Sequence, residues 1–119
     1  MLTPADLDRE ELLALIGNLA DPVSPLDILR ARSSVAWERL RRVEVVYDAA
    51  MKRSVEAQAA VSAVVAANKS VPVKRWRALR KAAADATTES DKLWDRLMKA
   101  GRAARKYSDQ LYAQSASAD

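Results

Sequence analysis

Residues 29–68 read LRARSSVAWERLRRVEVVYDAAMKRSVEAQAAVSAVVAAN, and residues 76–111 read WRALRKAAADATTESDKLWDRLMKAGRAARKYSDQL. Both stretches carry the same seam. In the first, small or apolar residues recur at Leu29, Ser33, Ala36, Leu40, Val43, Tyr47, Ala50, Ser54, Ala57, Val61 and Val64. In the second they recur at Trp76, Leu79, Ala83, Ala86, Ser90, Leu93, Leu97, Ala100, Ala104, Tyr107 and Leu111. The steps alternate four and three throughout, the period of a helix packed lengthwise on another helix. No run with the alternation of a strand is present.

The two seams also match each other. With a turn centred near Ser70, Val64 faces Trp76, Val61 faces Leu79, Ala57 faces Ala83, Ser54 faces Ala86 and Ala50 faces Ser90. Beyond these, Tyr47 faces Leu93, Val43 faces Leu97, Leu40 faces Ala100, Ala36 faces Ala104, Ser33 faces Tyr107 and Leu29 faces Leu111. Many layers set a large residue against a small one. The middle layers are small on both sides, which suits helices near the lower limit of interaxial distance, about 8 Å. The expected fold class is therefore all-α: a long antiparallel, coiled-coil-like hairpin forming one domain.

Local signals bound the helices. Ser24-Pro25-Leu26-Asp27 offers a cap, a proline at the first helical position and a carboxylate three residues on, a close relative of the capping box. No breaker follows before Asn68, so the spacing predicts a helix over 25–68, about 65 Å long at the usual rise. The stretch 68–72, NKSVP, is the turn, and Pro72 opens a helix over 72–113, with 114–119 as a fraying tail. A shorter helix over 4–19 precedes them. Thr3 is its cap, Pro4 its first residue, and Leu12, Leu15, Ile16 and Leu19 form its apolar face. Asp21-Pro22 ends it. This accessory helix is expected to fold back on the hairpin base opposite residues 26–42, completing a three-helix bundle. Its acids would then lie near Arg30, Arg32, Arg39, Arg41 and Arg42.

Composition narrows the chemistry. Half of the 119 residues are apolar, yet only three Trp and three Tyr are aromatic and there is no Phe. Alanine supplies much of the rest, so the core relies on close backbone approach rather than bulk. The absence of Cys removes disulfides and thiolate metal sites. The absence of His removes the commonest general base and metal ligand. Carboxylate pairs such as Asp91 and Asp95 share a helix face but are flanked by Lys92 and Arg96, and nothing brings them a complementary group. No enzyme activity, cofactor, metal or small-molecule substrate is expected. The acidic N-terminus MLTPADLDREE is not a secretory signal, and residues 57–68 are too short to span a bilayer. A cytoplasmic protein with no membrane partner is the expectation.

Charge is distributed unevenly. The net charge is +4, but residues 1–27 hold six acids and one Arg, a balance of −5, and residues 28–119 hold nineteen bases and ten acids, a balance of +9. A basic body points to a polyanionic partner. Lys69, Lys74, Arg75, Arg77, Arg80 and Lys81 fall within thirteen residues with no acid among them. They are candidates for phosphate-backbone contact without sequence preference, against the blander alternative of a solvated face. Trp76 lies on the seam and is read as core. A second basic stripe holds Lys99, Arg102, Arg105 and Lys106. Here the expectation is neutralisation by the acidic first helix or by a neighbouring subunit.

A third feature is apolar. Residues 55–67, VEAQAAVSAVVAA, contain one charge. Val55, Ala59, Ala63 and Ala66 point away from the seam, giving a helix that is apolar all round, and such a helix is usually buried all round. The first helix is too short to reach them. They are candidates for an interface with another copy or another protein.

This combination resembles the small helical subunit of multi-protein CRISPR effector complexes. The resemblance lies in size, helical architecture and charge, with residues 55–67 as the packing face and residues 69–81 as the backbone contact. It implies an RNA- or DNA-binding, non-catalytic subunit of a ribonucleoprotein in antiviral defence, stacked against neighbouring subunits. The rival expectation is a structural or chaperone-like hairpin of a phage or other assembly that binds protein only. A small inhibitor that mimics nucleic acid fits less well, because the body is basic.

Overall fold

The computed structural model describes residues 3–17, 24–67 and 70–117. The fold is all-α, as the seam requires. A single 3-10 turn, Pro4–Asp6, precedes α1 (Arg9–Gly17), α2 (Pro25–Ala67) and α3 (Val73–Ser117), and no strand occurs among the described residues. By contacts the chain divides into two units. One is formed by Met1–Arg42 with Met98–Asp119, the other by Val43–Leu97, and α2 and α3 contribute to both.

In the first unit α2 and α3 run antiparallel. Ser33 Oγ lies 3.3 Å from Ser108 Oγ, and a Cβ built on Gly101 would lie 4.0 Å from Leu40 Cδ1. Leu29, Ser33, Ala36, Leu40 and Ala104 are buried here, and Ala100, Tyr107 and Leu111 are half-buried. Trp37 reaches over the seam and donates its indole N–H to Ser108 Oγ at 2.6 Å.

The second unit is a plain helix pair. Tyr47 and Trp94 meet with ring centroids 5.5 Å apart, and Ser54 Oγ lies 3.4 Å from Thr87 Oγ1. Ala50, Ser54, Ser90 and Leu93 are buried, and the remaining seam residues are half-buried. In both units four contacts made by seam residues of α2 fall one residue from the partner expected: Ser33 with Ser108, Leu40 with Gly101, Tyr47 with Trp94, Ser54 with Thr87. The pairing is thus displaced from the expected register by one residue, in the same direction at all four places, while the stripe itself is as expected: no seam residue is exposed.

The N-terminal segment differs from expectation in detail. A continuous helix over 4–19 is not formed. Leu7 is extended, with φ −95° and ψ 141°, and it is buried. Asp8 then caps a new helix: its carboxylate accepts the Glu11 N–H at 3.0 Å, and the Glu11 carboxylate accepts the Asp8 N–H at 3.1 Å. This reciprocal pair is a capping box in its own right. The break lets Leu7 join Leu15, Ile28 and Ala31 in a small core, with Leu12 packed against it. Ile16, expected on the apolar face, is 60% exposed. Leu19, Asp21 and Pro22 lie outside the described residues.

The other boundaries follow their caps. Ser24 and Asp27 form the expected box: Asp27 accepts the Ser24 N–H at 3.0 Å and its hydroxyl at 2.9 Å, and Ser24 Oγ accepts the Asp27 N–H at 3.2 Å. Pro72 is the cap of α3 rather than its first residue, since its carbonyl accepts the Trp76 N–H at 3.0 Å. α3 continues past Ala113 to Ser117.

Candidate nucleic-acid interface

The arginines and lysines that look alike in the sequence fall into two populations. In the first unit the acidic segment lies along α2 and takes up its cations. Arg39 bonds Asp8 Oδ2 at 2.6 Å and Glu10 Oε2 at 3.3 Å. Arg42 bonds Glu10 at 3.3 Å and Glu38 at 3.0 Å. Arg32 bonds the buried Glu11 at 3.3 Å and lies 4.9 Å from the Tyr107 ring centroid. These contacts shift both sides. The Glu11 N–H and then Arg39 hold the Asp8 carboxyl below its ordinary value, and the Asp8 bond raises the Arg39 guanidinium. Three of the five arginines expected near the acidic helix are thus paired with it. Arg30 instead meets Asp27 on its own helix at 3.7 Å, and Arg41 is exposed.

The second population makes no ion pair among the described residues. Lys74, Arg75, Arg77, Arg80 and Lys81 in the second unit are exposed and free of acids, and so are Lys99, Arg102 and Arg105 in the first. Within the chain, the expected neutralisation of the Lys99 stripe by the acidic segment does not occur. The reason is geometric: α1 packs through Leu15 against Ile28 and Ala31 of α2, so its acids meet the arginines of α2. Lys69 lies outside the described residues.

The basic half-turns at the start of α3 are structured by the seam. Trp76 is half-buried, as a core residue should be, and the Arg80 guanidinium sits 6.0 Å from its ring centroid. Arg80 also lines a shallow notch with Gln58, Val61, Ser62 and Ala83. Arg75 lines a second groove on the pair, with Ala63, Val64, Ala67 and the 70–72 turn. Val55 is 60% exposed, and Ala59, Ala63 and Ala66 are exposed beside it. The all-round apolar character of α2 there leaves a bare face.

Sequence reasoning missed the aromatic pair. Trp94 is 47% exposed while stacked at a tilt on the half-buried Tyr47. The signal was present: Trp94 follows the seam residue Leu93 and so must lie on the flank of the helix pair. Among the described residues no cluster of acids could hold a metal ion, and no helix is long and apolar enough to cross a membrane. No protein-family model matches this chain, and no curated protein or solved structure does either.

Proposed function

We propose that the protein is a non-catalytic helical subunit that binds the phosphate backbone of nucleic acid without sequence preference and packs against neighbouring subunits of a ribonucleoprotein assembly. One observation carries this reading. The five cations of residues 74–81 are exposed and make no ion pair among the described residues, whereas Arg32, Arg39 and Arg42 are taken up by the acidic N-terminal segment. Cations kept free at one end of a helix pair suit contacts to a regularly charged polymer. The small helical subunit of a CRISPR-type effector is one setting that fits. The test is Lys74→Glu with Arg77→Glu. Binding should weaken alike for all sequences, since backbone contacts carry no base information. The slope of log affinity against log salt should flatten by about 1.4–1.8 units, depending on strandedness.

A second reading, a hairpin that binds protein only, is favoured by the bare row Val55, Ala59, Ala63 and Ala66. Ala59→Glu or Ala63→Glu would place a carboxylate in such an interface and abolish assembly while leaving the helices formed, because neither residue lies on the seam. A protein that assembles through this row yet shows no salt-dependent nucleic-acid binding would favour the second reading.

A further inference from the structure

Resting on the backbone-binding reading, we infer that the flank of the second unit carrying Arg80, Gln58 and Trp94 is a site for single-stranded nucleic acid, with a phosphate at Arg80 and a base stacked on Trp94. Arg80, Thr87 and Trp94 are spaced seven residues apart on α3. Residues at that spacing stay on one flank of a packed helix pair. Their contacts to α2 agree: Thr87 meets Ser54 and Gln58, Trp94 meets Tyr47, and Arg80 shares its notch with Gln58.

Each position is held for a task. The Arg80 guanidinium lies over Trp76, 6.0 Å from its ring centroid, and Arg80 also lines the notch with Gln58 and Ser62. An arginine and a hydroxyl lining one notch suit a phosphate oxygen. The Gln58 amide is oriented by Thr87: its Nε2 donates to Thr87 Oγ1 at 3.0 Å, which in turn donates to the Ala83 carbonyl at 2.9 Å. That leaves the Gln58 carbonyl oxygen as an acceptor at the notch. From Arg80 to Trp94 is about 21 Å along the helix, room for several nucleotides of an extended strand.

Trp94 decides the strandedness. Its ring is half in solvent and braced by Tyr47, as a stacking platform requires. Asp91 and Asp95 flank it and are exposed, and they repel phosphate, so what reaches Trp94 is a base face and not the backbone. A duplex keeps its base faces stacked inside and offers none; a single strand offers one per nucleotide. An apolar protein partner fits this row poorly, because it would strip water from Arg80 and Gln58 without giving them partners.

The experiment compares single-stranded DNA and RNA oligonucleotides with the duplex of the same sequence, using anisotropy for affinity and intrinsic fluorescence for stacking. Single strands of either kind should quench the tryptophan emission and the duplex should not. Trp94→Leu should remove the quench and weaken single-strand binding roughly tenfold or more, leaving duplex affinity within about twofold, since backbone contacts persist. Trp94→Phe, which keeps a ring, should retain most of the affinity, and circular dichroism should show both variants helical. Equal affinity for both forms, with Trp94→Leu behaving as wild type, would overturn this inference and leave the backbone reading standing. Binding of neither form would overturn both and mark Trp94 as a contact for a protein.

Discussion

Glu11 is 5% exposed and its carboxylate lies 3.3 Å from the Arg32 guanidinium, while Arg32 itself lies over the Tyr107 ring. A single residue of α1 is thereby tied to α2, and through Arg32 to the ring of a seam residue on α3. Glu11 also accepts the Asp8 N–H at 3.1 Å. Glu11→Ala should strand a partly buried guanidinium and remove half of the capping box. The expected loss is about 1–3 kcal/mol, read from the urea midpoint. Arg53→Ala breaks the exposed pair with Glu89, 3.2 Å apart with both side chains more than half exposed, and should change stability by less than about 1 kcal/mol. Equal losses at the two sites would mean that Glu11 does not clamp α1.

Acid sensitivity should come from the helix caps. Asp6, Asp8 and Asp27 all titrate below the ordinary value of 3.8, each chiefly because a backbone N–H, of Thr3, Glu11 and Ser24 respectively, bonds the carboxylate. A carboxyl depressed in the folded state stabilises the fold above its unfolded value, and that contribution is lost as pH falls through the folded value. With no His in the chain, the melting temperature should be flat from pH 7 to about 5. It should then fall below the ordinary 3.8. Asp27→Asn should make that acid drop smaller, which thermal melts at pH 7 and pH 3 would show.

Close packing should distinguish seam alanines from surface ones. Ala50 and Ala104 are 1% and 0% exposed, and enlarging either to Leu should cost about 1–3 kcal/mol through overpacking. Ala82→Leu, on an exposed position of α3, should change stability by less than about 0.5 kcal/mol. Gly101 should respond in the opposite direction. A methyl there would meet only Leu40 Cδ1, at an ordinary contact distance of 4.0 Å. Gly101→Ala should therefore raise stability by about 0.5–1 kcal/mol, the helix-propensity gain.

The Lys99 stripe should contribute to binding. Because the acids of α1 go to Arg32, Arg39 and Arg42, Lys99 and Arg102 stay unpaired among the described residues. Lys99→Glu with Arg102→Glu should lower nucleic-acid affinity and flatten the salt slope by an amount similar to the change at Lys74 and Arg77, about 1.4–1.8 units. An unchanged slope would restrict the contact to the second unit.

The sequence by itself determined the helix pair, its register to within one residue and most of its caps. These depend on short-range regularities: the four-three spacing that places Leu29 through Val64 on one stripe, the matching stripe from Trp76 to Leu111, and carboxylates three residues from a cap. The Asp8–Glu11 box was legible in the same way, although the stronger look of Thr3-Pro4 masked it. Tertiary structure alone decided the rest. Whether Arg39 or Lys99 received the acids of α1 depended on how Leu7 and Leu15 docked on Ile28 and Ala31. That Tyr47, forty-seven residues earlier in the chain, braces the flanking ring of Trp94 was likewise settled by the packing of one helix on the other. Both outcomes arise where segments distant in sequence meet, and neither charge nor hydrophobicity taken along the chain encodes which of several equivalent partners will be nearest.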